Sequence, residues 1–390
     1  MRGPSSSHSV AALRIGRICR ELMGGDPGRV EVIYDSRDAL ATTHESQGSD
    51  MGMKGGLLGY EADDSRLLNP DPYLAKEGIN LSFRVSETDL KIPNLYLVRL
   101  RNKVMEMEVA AVSTGGGMME VIRINDTALS LKGDRDVDLW ISPAGKPVKD
   151  APPPPDAKRC RIPALLPTRF REDAEALFAS CQQMFQYNQG KNLSAWELAA
   201  AYESRLGGMK EGEAFQKMHD LYQVMRKAIR TGLQGTRFKD RIYGAQSLAY
   251  QKHMDAGSLA GDQVVHHITL YVSALMEVKS SMGVIVAAPT AGSCGTFPGA
   301  VLGVADAMKL EEEQIVKALL AGSLTGIFIA AASTFSAEIG GCQAECGSGA
   351  GMAAAAISSL LGGNAEQCMA ASSLALQNSL GMICDPIAAR

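Results

Sequence analysis

Apolar residues recur at helical spacing in Val10 to Met23 and again around Gly52 to Leu58, which predicts a helix in each place. Runs of a different kind follow. NLYLVRL (Asn94 to Leu100), VMEMEVAAV (Val104 to Val112) and MMEVIRI (Met118 to Ile124) alternate or cluster apolar side chains, and Thr114-Gly115-Gly116-Gly117 interrupts them as a turn. Residues 1–141 therefore read as an α+β domain with an antiparallel sheet. Residues 142–160 contain four consecutive prolines, Pro152 to Pro155, which cannot sit inside a helix or a central strand, so this stretch is expected to be a semi-rigid linker.

Beyond residue 160 the spacing becomes helical. Arg171 to Phe185, Ser194 to Arg205, Gly212 to Thr231 and Asp262 to Val278 carry apolar residues at intervals of three and four, with few strand candidates between them, so residues 161–390 are expected to form an all-helical domain. SGAGMAAAAISSLL (Ser348 to Leu361) and ASSLALQNSLG (Ala371 to Gly381) are dense in Ala, Gly and Ser. Such residues let helix backbones approach closely, which suits a tightly packed helical centre. No repeat of fixed period is visible.

Composition narrows the function classes. The 390 residues are 46% apolar and 21% charged, an ordinary globular balance, but 40 glycines exceed the usual share of about 7%. The 39 basic and 43 acidic residues are interspersed and leave a net charge of −4, so nothing in the chain tracks nucleic-acid phosphates. Polar residues interrupt every apolar run short of the roughly 18 to 20 residues that span a bilayer. The N-terminus has no secretory pattern, so the expected location is cytoplasmic, with neither membrane nor nucleic acid as a partner. Eight cysteines in a chain of this kind are not a disulfide scaffold. Cys19, Cys160, Cys181 and Cys368 read as packed side chains, whereas Cys294, Cys342, Cys346 and Cys384 lie in glycine-rich or sharply punctuated contexts.

Three segments carry chemistry. Gly3-Pro4-Ser5-Ser6-Ser7-His8-Ser9 offers hydroxyls and an imidazole at a helix start, where free backbone N–H groups suit a carboxylate or phosphate, although a serine-rich end is also an ordinary cap. Ala288-Pro289-Thr290-Ala291-Gly292-Ser293-Cys294-Gly295 is polar inside an apolar stretch, so it is either tied to its neighbours or holds a ligand. Gly340-Gly341-Cys342-Gln343-Ala344-Glu345-Cys346-Gly347 and the later Cys384-Asp385-Pro386 suit thiolates at element ends, with a spacing that is not diagnostic by itself.

Taken together, these segments resemble the iron-sulfur L-serine dehydratase family. GPSSSHS, NPDPY (Asn69 to Tyr73), STGGGMMEV (Ser113 to Val121), APTAGSCGTFPG, GGCQAECGSGAGMAAAA and LGMICDPIA match its patterns in order, and a histidine element looks displaced into His44-Glu45-Ser46-Gln47-Gly48-Ser49-Asp50. The resemblance implies an α+β domain followed by a helical catalytic domain around one 4Fe-4S cluster, whose open iron acts on the substrate hydroxyl. By motif position Cys342 and Cys384 carry over as cluster ligands. The family's third cysteine lies in a Val-Pro-Cys context beyond the last residue, Arg390, so that ligand is absent from the family position and the chain as written is expected to show little activity. Cys346, one helical turn after Cys342, is expected to pack.

The implied reaction is β-elimination of water from L-serine, giving pyruvate and ammonia. Ser5, Ser6, Ser7 and His8, together with Thr290, Gly292 and Ser293, are expected to bind the substrate in one cleft, and His44 to do the acid-base work. His219, His253, His266 and His267 read as surface or satisfied helical residues. Cys342 and Cys384 are expected to bring their sulfurs within roughly 6 to 7 Å of each other. A cysteine desulfidase type of lyase, and an inactive relative serving as a partner subunit, are the alternatives, and the pattern leaves a homodimer open.

Overall fold

Strands β1 (Arg29–Asp35), β2 (Asn80–Ser86), β3 (Leu95–Arg101), β4 (Glu106–Gly115), β5 (Met118–Ile124) and β6 (Thr127–Leu131) form one sheet in the order β2-β1-β3-β4-β5-β6. This is a computed structural model, and it describes residues 1–148, 155–166, 174–210, 212–237, 244–341 and 343–382. All neighbours in the sheet are antiparallel except β1 and β2, which run parallel from Arg29↔Asn80 to Asp35↔Ser86. A parallel pair needs a crossover. It carries α2 (Leu40–Thr43), α3 (Ser49–Leu57) and α4 (Asp71–Lys76), while α1 (Ala11–Leu22) precedes the sheet. One face of the sheet buries Val32, Tyr34, Tyr96, Val98 and Val109 against Ile15, Ile18 and Leu22 of α1. The opposite face holds the smaller cluster of Ile33, Leu95, Leu97 and Ala110. The expected α+β domain is therefore present, with one parallel pair in its sheet.

Residues 142–160, expected to be a linker, contribute two strands instead. A three-stranded antiparallel sheet, ordered β8-β7-β9, joins β7 (Val137–Ile141), β8 (Pro147–Val148) and β9 (Lys158–Ile162). The reason is a period-two pattern that the prolines overshadow. Cys160 and Ile162 are buried, while the exposed Arg159 and Arg161 pair with Asp138 and Asp136 at 2.8 and 3.2 Å. Cys160 donates its thiol to the Glu21 carbonyl at 3.1 Å, and its burial pushes the thiol up to about 11. Pro152, Pro153 and Pro154 lie outside the described residues.

The second unit is helical: α5 (Cys181–Asn188), α6 (Ala195–Gly207), α7 (Glu213–Leu233), α8 (Ser247–Asp255), α9 (Gln263–Ser280), α10 (Thr296–Ala307), α11 (Glu312–Ala332), α12 (Ala337–Gly340), α13 (Ser348–Leu360) and α14 (Ala365–Asn378). The helix expected from Arg171 begins only at Cys181, where the Ser180 hydroxyl accepts the Gln183 N–H at 3.3 Å. Residues 171–173 lie outside the described residues.

Helix α11 packs against α6, α7, α10, α13 and α14, which explains why it is apolar on all sides. By length and composition it could cross a bilayer, with a mean hydropathy of 1.9 over 18 residues, but 56% of that window is buried among its neighbours. Small residues make this packing fit, since a Cβ on Gly322 would lie 2.7 Å from the Met352 carbonyl oxygen. The first residues of the chain also belong to this unit. The Met1 ammonium donates to the Ile285 carbonyl, and the Ile285 N–H to the Met1 carbonyl, both at 2.8 Å.

Candidate functional site

In the α+β unit, Ser5 is extended and the chain then closes a π-helical turn, Ser6–Val10, that runs directly into α1. Ser9 fastens this turn by donating its N–H and its hydroxyl to the Ser5 carbonyl, at 2.9 and 2.6 Å. The hydroxyls of Ser5 and Ser7, 3.2 Å apart, converge on His8 Nδ1 at 3.0 and 3.3 Å. On the other side of the ring, His8 Nε2 lies 3.0 Å from Thr43 Oγ1.

The Thr43 hydroxyl has one proton and donates it to the Ala39 carbonyl at 2.8 Å. It therefore accepts from His8 Nε2–H, and Nδ1 of the neutral ring is an acceptor for one serine hydroxyl. The other serine can donate to its neighbour's hydroxyl oxygen, 3.2 Å away. Ser6, only 2% exposed, is buried within the turn. The glycine turn after β4 supports this arrangement from below. Ser113 donates its hydroxyl to the Ser7 carbonyl at 2.7 Å, and Arg14 donates to the Gly117 carbonyl.

His44 caps the C-terminal end of α2, one residue after Thr43. Its Nδ1 lies 2.9 Å from Asp50 Oδ1, and its ring stacks on Tyr34 with centroids 4.6 Å apart. Tyr34 donates its hydroxyl to the same carboxylate oxygen at 3.1 Å. The chain can turn back here because Gly48 has φ 90°, a left-handed conformation open to glycine. Burial raises the Asp50 carboxyl above its usual range, opposed by the hydrogen bond and charge of His44. The structure thus brings Ser5, Ser7, His8, Thr43, His44 and Asp50 into one neighbourhood. Thr43, Asp50 and Tyr34 were not singled out from the sequence, although Asp50 stands in the same quoted element as His44.

In the helical unit, the loop at Thr290 to Ser293 is tied to itself. Both hydroxyl residues are fully buried at 0% exposure. The Thr290 N–H donates to Ser293 Oγ at 3.2 Å, and Ser293 Oγ lies 3.2 Å from Thr290 Oγ1 and 3.3 Å from the Thr290 carbonyl. Thr290 and Ser293 thus hydrogen-bond to each other within the loop. Gly292 is half-buried, and a Cβ there would lie 2.5 Å from Glu345 Oε2, at the end of a side chain that could move aside.

Cys346 is half-buried, with its thiol 3.9 Å from the Gly292 carbonyl. Burial pushes the Cys294 thiol up to about 12, only partly opposed by the charge of Lys279, and its sulfur lies 3.9 Å from that of Met276. Among the other histidines, His266 is buried, with Nδ1 3.0 Å from the Tyr250 hydroxyl. His219 Nε2 lies 2.6 Å from Glu312.

Cys342 and Cys384 lie outside the described residues. Among the described residues, no group of three or more His, Cys, Asp or Glu side chains could hold a metal ion. A hollow lies beside the Cys342 segment. Gly340, Gln343 and Ser348 line a hollow of about 490 Å³ together with Phe328, Ser372 and Leu376. The Ser372 hydroxyl, on a residue 3% exposed, has no hydrogen-bond partner among the described residues. The two flanks also converge, since a Cβ on Gly347 would lie 3.0 Å from Ser379 Oγ.

Comparison with known proteins accounts for both halves of the chain. Residues 190–390 match the family described as serine dehydratase alpha chain. The probable L-serine dehydratase, alpha chain, of Bacillus subtilis (strain 168) is 33% identical over 213 residues, which is 54% of this chain and 71% of that protein. The probable beta chain of the same organism is 34% identical over 141 residues, 36% of this chain and 63% of that one. The L-serine dehydratase of Streptomyces coelicolor is 27% identical over 402 aligned positions, covering 99% of this chain and 82% of the relative. With the alpha-chain match spanning half its length, on the helical unit that carries the Thr290 loop and the flanks of Cys342, this chain belongs to the serine dehydratase family.

Proposed function

We propose that this chain is a lyase that converts L-serine to pyruvate and ammonia by β-elimination. The observation that carries this reading is the convergence of Ser5, Ser7 and His8 at a turn whose other side meets Thr43, next to His44. A 4Fe-4S cluster held by Cys342 and Cys384 would supply Lewis acidity toward the leaving hydroxyl. The hollow and the converging flanks beside these cysteines support that assignment.

The chain's own residues do the rest. The substrate carboxylate is held by the Ser5 and Ser7 hydroxyls, which exchange their contact with each other for it, and by backbone N–H groups at the start of the π-helical turn. Within the helical unit, the hydrogen bonds between Thr290 and Ser293 keep the loop around Gly292 in shape. His44 Nε2 removes the proton from the α-carbon as the C–O bond breaks, and the imidazolium then passes that proton to the departing hydroxide, so that one water leaves and His44 returns to its neutral form. The 2-aminoacrylate released tautomerises to an imine, and a second water hydrolyses it to pyruvate and ammonia.

The test is anaerobic reconstitution of the protein with iron and sulfide, iron counting, and a coupled pyruvate assay with L-serine. Cys342→Ser and Cys384→Ser should each lower the iron content and abolish turnover. A fully loaded protein that forms no pyruvate from serine would overturn the assignment.

A further inference from the structure

The first turn of α3 holds His44 in two ways. The backbone N–H groups of Ser49 and Asp50 both donate to the His44 carbonyl, at 2.7 and 3.3 Å. The side chain of Asp50 takes the ring, with Oδ1 2.9 Å from Nδ1. Tyr34 lies under the imidazole at a centroid distance of 4.6 Å, with Phe83 at 6.3 Å from the ring. Among the described residues, no hydrogen bond engages His44 Nε2.

We propose that Asp50 is the positioning residue of this site. It binds His44 Nδ1–H, fixes the ring orientation, and leaves the lone pair on Nε2. This deepens the reading of His44 as the base and rests on it. A carboxylate accepts and cannot donate, so it selects the tautomer protonated at Nδ1. Stacking on Tyr34 limits the ring to one plane, and the Tyr34 hydroxyl occupies the same Oδ1 from a second direction.

The other charged groups nearby leave the pair intact. Lys54, one turn after Asp50 on α3, pairs with Asp71 at 2.7 Å and its charge also favours the Asp50 carboxylate, while Glu45 is exposed. His8 is separated from His44 by Thr43. Burial disfavours the Asp50 charge, and the His44 donor is the first of the partners that oppose this.

Two measurements test this on the whole protein. ¹⁵N NMR of labelled histidines should show His44 protonated at Nδ1 in the wild type, with the Nε2–H form gaining population in Asp50→Asn, where the amide can turn its NH₂ toward the ring. In the serine assay, Asp50→Asn should lower kcat on the order of 100-fold or more with KM little changed, because the shape is kept while the tautomer is wrong. Tyr34→Phe, which keeps the stacking, should lower kcat only a few-fold.

An Nε2–H tautomer in the wild type would overturn the proposal whatever the activity. An inactive His44→Gln beside an Asp50→Asn with wild-type kcat would overturn the role of Asp50 alone. Full turnover by His44→Gln would overturn the base assignment beneath it.

Discussion

Replacing Gly52 by alanine adds one methyl group where α3 meets the serine-bearing turn, and the structure leaves no room for it. A Cβ at Gly52 would lie 2.0 Å from the Ser9 carbonyl oxygen and 2.8 Å from its carbon. Ordinary C···O approaches are about 3.3 Å, so the two segments would have to separate by about 1.3 Å. The obstacle is backbone, which cannot rotate away. Overpacking of this kind costs about 3 kcal/mol at its upper end, against about 1 kcal/mol gained in helix propensity, for a net loss of about 2 kcal/mol.

Gly55→Ala is the internal control. It carries the same propensity gain on the same helix, but the nearest atoms its Cβ would meet belong to side chains, Leu67 Cδ2 at 2.1 Å and Leu13 Cδ1 at 3.7 Å. Urea unfolding of both variants isolates the clash, and the serine assay reads its consequence. Ser9 is bonded to Ser5, so a shift of about 1 Å in this turn should lower kcat/KM for serine on the order of 100-fold in Gly52→Ala. If Gly52→Ala unfolds at the same urea concentration as Gly55→Ala and keeps its kcat/KM, the reasoning from close approach is wrong.

Asp306 accepts from both Arg226 nitrogens at 2.5 and 2.6 Å and from the Tyr271 hydroxyl at 2.5 Å, so Asp306→Ala should destabilise the helical unit by about 3 kcal/mol in urea titrations. Burial alone would raise the Asp306 carboxyl, but the hydrogen bonds from Arg226 and Tyr271 outweigh it and hold it below the usual range. Its contribution should therefore be complete above the unfolded value of about 3.9 and fade as pH falls through the lower folded value, a loss that stability measured against pH should no longer show in the alanine variant. Glu277 accepts the Gln246 and Ser247 N–H groups and the Ser247 hydroxyl at 2.6 to 2.9 Å, so Glu277→Ala should cost about 2 kcal/mol and speed amide exchange first in α8. Gly48→Ala should cost about 1 kcal/mol through its left-handed backbone and lower kcat by displacing Asp50, with the iron content as the unchanged control.

The division into an α+β half and a helical half was legible in the chain because it depends on local periodicity. Period-two runs became β3, β4 and β5, and three-four spacing became α6, α7 and α9, each within a few residues of the expected bounds. The motifs GPSSSHS and APTAGSCG were visible for the same reason, as local breaks in pattern. Tertiary contacts decided the rest. Whether Ser293 faces a ligand or its own loop depends on Thr290 across a turn, and whether His44 is a poised base depends on a carboxylate six residues on, brought back by a left-handed glycine. The strand character of Lys158–Ile162 also needed a partner, β7, before its alternation outweighed the neighbouring prolines. Spacing along one element follows from covalent geometry, whereas hydrogen bonding between side chains on different elements depends on packing that the local pattern does not encode.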